Sequence, residues 1–136
     1  MKIVTCNGCF DGLHHGHLFF LGFCRGQGDS LVVGINSDRY MREVKHQEPM
    51  FNQDIRKKVL EDTGIPTRVV IFEEENPIAF IKGILPEIHC TGAEYAERCI
   101  EAEVCKGLGI ELRFVPRIGK WSSTEMRKNG YSTHGS

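Results

Sequence analysis

Two histidines three residues apart, His14 and His17, lie inside a glycine-rich run over residues 7–17. Gly8 permits a tight turn, and Gly16 lets backbone approach a ligand closely. At a helix N-terminus, unpaired N–H groups and the helix dipole favour phosphate. Imidazoles placed there can donate hydrogen bonds to phosphate oxygens and stabilise charge that develops at phosphorus. The run therefore predicts a phosphate site that could support catalysis.

The elements around this run predict where it lies in the fold. Residues 2–6 are a short β-branched run and residues 31–36 are a continuous apolar run, and both are typical of buried strands. Between them, Leu18, Leu21 and Cys24 recur at helical spacing. The two histidines should therefore lie between the first strand and the first helix.

A second helix is predicted to begin after Asn52, whose side chain is a good N-cap. It reaches residue 62 and places Ile55, Val59 and Leu60 on one apolar face. Strands are predicted at residues 67–72, 87–91 and 110–115, with helices from residue 76, over residues 94–106 and from residue 122.

This alternation predicts an α/β fold. The expected architecture is a single Rossmann-like domain with a five-stranded, mostly parallel sheet and helices on both faces. Residues 1–130 form this domain in the prediction, and residues 131–136 form a flexible tail. In such a sheet, ligands bind at the carboxyl ends of the strands, where the strand order reverses.

Composition narrows the classes of partner. The 136 residues include 17 Lys and Arg against 18 Asp and Glu, so no overall field would draw the chain to nucleic acid or to a membrane. The longest nearly apolar stretch, residues 18–24, is far shorter than the about 20 residues that a bilayer requires. We expect a soluble, cytoplasmic protein whose six cysteines are reduced.

Cys6 and Cys9 form a C-x-x-C pair close to His14, which raises zinc as an alternative. Structural zinc fingers separate their ligand pairs by about 12 residues or more, a much longer spacing than the one between Cys9 and His14. The sequence therefore disfavours zinc.

Residues 8–17, Gly-Cys-Phe-Asp-Gly-Leu-His-His-Gly-His, resemble the G-x-F-D-x-x-H-x-G-H signature of the cytidylyltransferase-like nucleotidyltransferases. This family includes glycerol-3-phosphate cytidylyltransferase and the nucleotidyltransferase domain of ADP-heptose synthesis enzymes. Residues 33–38 resemble its V-x-V-N-S-D segment, and residues 122–124 its S-T-T segment. Residues 72–77, 84–87 and 92–95 are most similar to the heptose branch.

The resemblance implies a reaction. An acceptor phosphate attacks the α-phosphorus of ATP or CTP, and pyrophosphate leaves. The acceptor is a phosphorylated sugar or polyol, with a heptose 1-phosphate type favoured, and Mg²⁺ accompanies the triphosphate without a protein ligand. A glycerol-3-phosphate cytidylyltransferase and a catalytically silent nucleotide-binding regulatory module remain alternatives. A homodimer also remains open, since family members often dimerise.

The resemblance implies roles for particular residues. Basic groups that would contact the triphosphate, the reacting phosphorus or the acceptor are His14, His17, Lys45, Arg56 and Arg117. Residues that would shape the nucleotide pocket are Gly8, Cys9, Phe10, Asp11, Gly16, Gly92, Glu94, Ser122, Ser123 and Thr124. Two departures from the family pattern bear on the acceptor: Glu48 replaces an arginine, and Thr91 replaces a lysine of many heptose-branch members.

Overall fold

The computed structural model describes residues 1–73, 77–93 and 101–116. In chain order, the elements are β1 (Ile3–Gly8), α1 (His15–Arg25), β2 (Ser30–Asn36), α2 (Asp38–Glu43), α3 (Gln53–Asp62), β3 (Arg68–Phe72), α4 (Ile78–Ile84), β4 (Ile88–Gly92), α5 (Glu101–Leu108) and β5 (Glu111–Val115). The predicted final helix from residue 122 and the predicted tail over residues 131–136 lie outside the described residues.

The five strands within the described residues are all parallel, and their order in the sheet is β3-β2-β1-β4-β5. This arrangement confirms the predicted α/β class and the Rossmann-like sheet. The chain runs outward from β1 to β3 and then returns to place β4 on the other side of β1. The strand order therefore reverses between β1 and β4, which makes the carboxyl ends of these two strands the expected place for a ligand.

Both faces of the sheet are covered by helices. One face packs Val33 and Ile35 of β2 against Leu21 of α1 and Leu60 of α3. The opposite face packs residues of β2 and β3 against α4 and α5, through Val32, Phe72, Phe80, Ile81 and Cys105. Burial on two sides explains why the second strand appears in the sequence as a continuous apolar run. None of the described helices is long and apolar enough to cross a membrane.

Helix α3 begins as predicted but turns a different face inward. Asn52 caps it, because its Oδ1 accepts the N–H of Ile55 at 2.9 Å. The predicted apolar face is wrong: Leu60 is fully buried, whereas Ile55 is 46% exposed and Val59 is 43% exposed. Arg56 occupies the buried position one turn before Leu60 and is only 1% exposed. Buried hydrogen-bond acceptors that bind a guanidinium determine which face of α3 turns inward. The hydrophobic pattern of the sequence does not reveal these acceptors.

The Arg56 guanidinium joins several parts of the chain. Nε donates to the carbonyl of Phe51 at 2.9 Å, and Nη1 donates to the carbonyls of Cys9 at 2.9 Å and Asn36 at 2.8 Å. Nη2 donates to Oδ1 of Asp38 at 2.8 Å. Burial acts to raise the pKa of Asp38, but hydrogen bonds from Arg56 and from the Gln53 N–H outweigh it and leave that pKa lowered. The network fixes the loop after β1 against the end of β2 and the start of α3.

A second buried polar pair connects β1 and β4. Thr5 and His89 are opposite each other in the ladder, both are fully buried, and the Thr5 Oγ1 lies 2.7 Å from the His89 Nδ1. Burial lowers the pKa of His89 to about 4, although the nearby Glu101 carboxylate acts in the opposite direction. His89 is therefore neutral at pH 7.

Replacing Arg56 with leucine should be strongly destabilising. The change leaves Asp38 and three carbonyls without their donor, and breaking a buried ion pair from one side costs about 3–5 kcal/mol. Urea denaturation measures the loss. The control is Arg39→Leu, which removes an exposed ion pair with Glu43 and should cost about 1 kcal/mol or less. Equal losses of unfolding free energy in the two variants would contradict the proposed contribution of the Arg56 network to stability.

His89 should make the fold sensitive to acid. Its pKa is about 4 in the folded chain and about 6.5 when unfolded, so the unfolded state binds more protons between these values. Stability from neutral His89 is therefore complete above pH 6.5 and decreases by about 3 kcal/mol by pH 4. Urea denaturation of wild type and His89→Phe at pH 7 and pH 4.5 measures the difference. Parallel pH dependence in both proteins would refute this assignment.

Candidate active site

The two signature histidines organise the start of α1. His14 is the N-cap, and its Nδ1 accepts the N–H of Gly16 at 3.0 Å. The His14 N–H in turn donates to Nδ1 of His17 at 3.4 Å, which completes a reciprocal capping box. The two rings stack with centroids 4.0 Å apart. Because Nδ1 of each ring accepts a backbone N–H, a neutral ring carries its own proton on Nε2.

The environment of His17 keeps its ring neutral. Burial, followed by the proximity of His14, lowers the pKa of His17 to about 4. The edge of its ring also meets Phe10, at a centroid distance of 5.4 Å. At neutral pH, His17 is therefore a hydrogen-bond donor through Nε2 rather than a cation.

Close neighbours leave little room for a side chain at Gly16 or at Gly8. A Cβ at Gly16 would lie 2.8 Å from Cε1 of His14, so a larger residue would displace the capping ring. A Cβ at Gly8 would lie 3.0 Å from Cε2 of Phe10. Phe10 itself has a positive φ of 50° and is 7% exposed, which places its ring in the core beneath the loop. The glycines thus let the loop fold back onto its own aromatic side chains.

Asp11 fixes the segment that follows α2, residues 44–51. Its Oδ2 accepts the N–H of Met50 at 2.7 Å, and its Oδ1 accepts the N–H of Phe51 at 2.9 Å. Both carboxylate oxygens are therefore used to hold main chain. Asp11 shapes the loop in this way, and its predicted contribution to the nucleotide pocket stays a prediction.

The 44–51 segment brings Lys45 to the end of β1. Its Nζ lies 3.4 Å from the Sγ of Cys9, and that thiol donates to Oδ1 of Asn36 at 3.4 Å. Farther along the segment, Glu48 forms an exposed ion pair with Arg42 at 3.0 Å. The residue that departs from the family pattern is thus paired with a cation from α2.

Beyond the loop residues already described, the predicted site residues fall into three groups. His14, His17 and Lys45 supply donors at the carboxyl end of β1, while Arg56 lies beneath the same loop with its described bonds directed to protein acceptors. Gly92 ends β4, the strand beside β1. The residues that lie outside the described ranges are Glu94, Arg117, Ser122, Ser123 and Thr124.

Three residues that make buried polar contacts near the candidate site were not predicted individually. Asp38 pairs with Arg56, and Asn36 receives bonds from both Arg56 and Cys9. Their signal was present in the N-S-D run that follows the second strand. His89 carried no such signal, because a single histidine in a predicted strand does not show what lies opposite it.

Comparison with known proteins agrees with this geometry. Residues 5–134 match the family described as cytidylyltransferase-like. The chain is 38% identical over 132 residues to the bifunctional protein HldE of Koribacter versatilis, which covers 96% of this chain and 27% of the relative. It is 37% identical over 129 residues to HldE of Campylobacter concisus, covering 93% of this chain and 26% of the relative. The chain thus spans about a quarter of the length of these relatives.

Solved structures share the fold. A lipopolysaccharide core biosynthesis protein from Thermoplasma volcanium superposes with a TM-score of 0.71 at 27% identity, over 86% of this chain and 96% of that one. Pantothenate synthetase from Thermus thermophilus superposes with a TM-score of 0.61 at 12% identity, over 85% of this chain and 56% of that one, and shows the fold alone. The family match covers nearly the whole chain and includes the capped histidine pair, so the chain belongs to the cytidylyltransferase-like family and is a nucleotidyltransferase.

Proposed function

We propose that the chain transfers a nucleoside monophosphate from ATP or CTP to a phosphorylated sugar or polyol. The observation that carries this proposal is the capped histidine pair at the start of α1. Its Nδ1 atoms accept backbone N–H groups, so in neutral rings the Nε2–H groups would be the donors toward a ligand, with the His14 Nε2 buried in the structure before a ligand binds. Two such donors beside a helix N-terminus and Lys45 suit a triphosphate better than a neutral substrate.

The reaction needs no nucleophilic side chain. A phosphate oxygen of the acceptor forms a bond to the α-phosphorus, the bond from that phosphorus to the bridging oxygen breaks, and pyrophosphate leaves with the electron pair. Charge spreads over the phosphoryl oxygens as this occurs, so oriented donors and positioning supply the acceleration. His14 and His17 would donate to these oxygens, and the Lys45 ammonium would neutralise phosphate charge.

Magnesium would enter as the complex with the triphosphate. Within the described parts of the chain, no group of three or more His, Cys, Asp or Glu side chains could hold a metal ion. The carboxylates nearest the loop are used otherwise, because Asp11 binds main-chain N–H groups and Asp38 pairs with Arg56. The ion bound to the phosphates would spread their charge and help orient them.

The acceptor we favour is a sugar phosphate of the heptose 1-phosphate type. The HldE relatives, which are ADP-heptose synthesis enzymes with a cytidylyltransferase-like domain, support this choice. The remaining predicted site residues would complete the pocket by contacting the nucleotide or neutralising phosphate charge: Gly92, Glu94, Arg117, Ser122, Ser123 and Thr124.

The direct test combines donors and acceptors in one screen. Purified protein with Mg²⁺ is incubated with ATP, CTP, GTP or UTP and with heptose 1-phosphate, glycerol 3-phosphate or other phosphorylated sugars and polyols. Pyrophosphate release and the mass of the product are measured. Release with ATP or CTP and a product mass of a nucleoside diphosphate sugar or polyol supports the proposal. Nucleotide binding without release across the panel would indicate a silent binding module instead.

A histidine variant can separate chemistry from helix capping. Asparagine is a favoured N-cap, so His14→Asn should keep the cap of α1 while removing the Nε2–H donor. Loss of one oriented donor to the transition state costs about 100-fold or more in kcat. His17→Ala should cause a similar loss. Steady-state pyrophosphate release measures both, and His15→Ala, at the exposed position between them, is the control.

The control variant should keep turnover close to that of wild type. Circular dichroism and urea denaturation of His14→Asn should show a folded protein with little loss of stability. Wild-type kcat in folded His14→Asn would show that this ring does not act on the reacting phosphate.

A further inference from the structure

The ladder between β1 and β4 is much shorter than its neighbours. β1 and β2 pair from Ile3–Ser30 to Gly8–Ile35, along the whole of β1. β4 and β5 likewise pair along the whole of β4. β1 and β4 pair only at Val4–Ile88 and Thr5–His89 in the described structure. Past this rung, the described residues of β1 and β4 form no further ladder pairs on the way to the loop after β1 and to Gly92, and we call this gap in the ladder the crevice.

The last rung is reinforced by side chains. Thr5 and His89 form their 2.7 Å hydrogen bond across it, with both side chains fully buried on the face that α4 and α5 cover. The Nε2 atom of His89 is buried and has no hydrogen-bond partner among the described residues. The Thr5 hydroxyl is thus the group that fixes the orientation of this ring.

Side chains also connect the strands on the opposite face. One position beyond the rung, Cys6 of β1 and Cys90 of β4 are buried in the same core cluster as Cys24 of α1. The Cys24 thiol, followed by burial, raises the pKa of Cys90. Buried side chains therefore lie on both faces of the sheet at the point where the β1–β4 ladder ends and other strand pairs continue their backbone ladder.

We propose that Thr5 and His89 are positioning residues that set the width of the crevice between β1 and β4, and through it the geometry of nucleotide binding. This inference rests on the proposed function, in which the triphosphate binds after β1 and the rest of the nucleotide extends toward the loop after β4. A ligand that contacts both edges depends on the distance between them. The pair lies at the last rung of the described ladder, so a change there would alter the separation of the strands beyond it.

The test replaces the Thr5 hydroxyl without changing side-chain volume. Thr5→Val leaves the His89 Nδ1 without its described partner in an apolar setting, so the strands should repack. The KM for the nucleotide should rise about tenfold, which corresponds to a loss of about 1.4 kcal/mol in binding. The KM for the acceptor should change less. Thr5→Ser keeps the hydroxyl and should retain a KM for the nucleotide close to wild type.

A matched control separates positioning from loss of stability. Val69→Ala removes buried volume from β3, at the far edge of the sheet from β4, and should also destabilise the fold. Urea denaturation of both variants, together with nucleotide KM from pyrophosphate release, gives the comparison. A raised nucleotide KM in Thr5→Val, with Val69→Ala unchanged despite comparable destabilisation, supports the proposal.

Two results would overturn it. Either a wild-type nucleotide KM in Thr5→Val, or the same rise in Val69→Ala, would show that the pair is only structural. If Thr5→Val is too unstable to assay, His89→Phe replaces it with the same expected rise. Failure of the proposed function looks different, because wild-type protein would then release no pyrophosphate with any nucleotide.

Discussion

One buried guanidinium holds the loop of the candidate site in shape. Residues 9–14 after β1 have no regular secondary structure, so strand or helix hydrogen bonds do not fix their path. Arg56 does so by donating to the carbonyls of Cys9, Asn36 and Phe51 and to the Asp38 carboxylate. A planar fork with several N–H groups can satisfy acceptors from separate segments at once, and an ammonium cannot match those directions. The charge tolerates burial because it is paired and hydrogen-bonded.

The histidines resolve a conflict at the start of α1. A helix N-terminus attracts phosphate through its unpaired N–H groups, yet a capping side chain normally satisfies those same groups. Imidazole has two nitrogens, and here Nδ1 of His14 caps the helix, so a neutral ring carries its proton on Nε2. His17 repeats the arrangement through the N–H of His14. The capping histidines would thus add hydrogen-bond donors for the ligand at the N-terminus of the helix.

The sheet supplies a second constraint at the switch point. Strand order reverses between β1 and β4, and this strand pair is the one whose described ladder stops early. At the end of this ladder, a Thr–His hydrogen bond lies on one face and three buried cysteines lie on the other. The early end of the ladder therefore coincides with the reversal of strand order and with buried side chains on both faces of the sheet.

The sequence by itself determined the fold class and the position of the histidine pair at the start of a helix. Alternating apolar runs predicted a parallel sheet covered on both faces, and the spacing of His14, Gly16 and His17 marked the start of a helix after a strand. These features are local, since strand burial, helix periodicity and capping depend on residues near one another in the chain. Asn52 was identified as a cap for the same reason.

Tertiary structure decided which groups hold the protein together. Ile55, expected on an apolar face, is exposed, and Arg56 is buried among protein acceptors, while its predicted phosphate contact stays a prediction. The acceptors that draw Arg56 inward come from Cys9 and Asn36, 47 and 20 residues away. His89 finds Thr5 across 84 residues. A buried polar group is stable only beside its partners, and long-range partners are set by the fold rather than by sequence spacing.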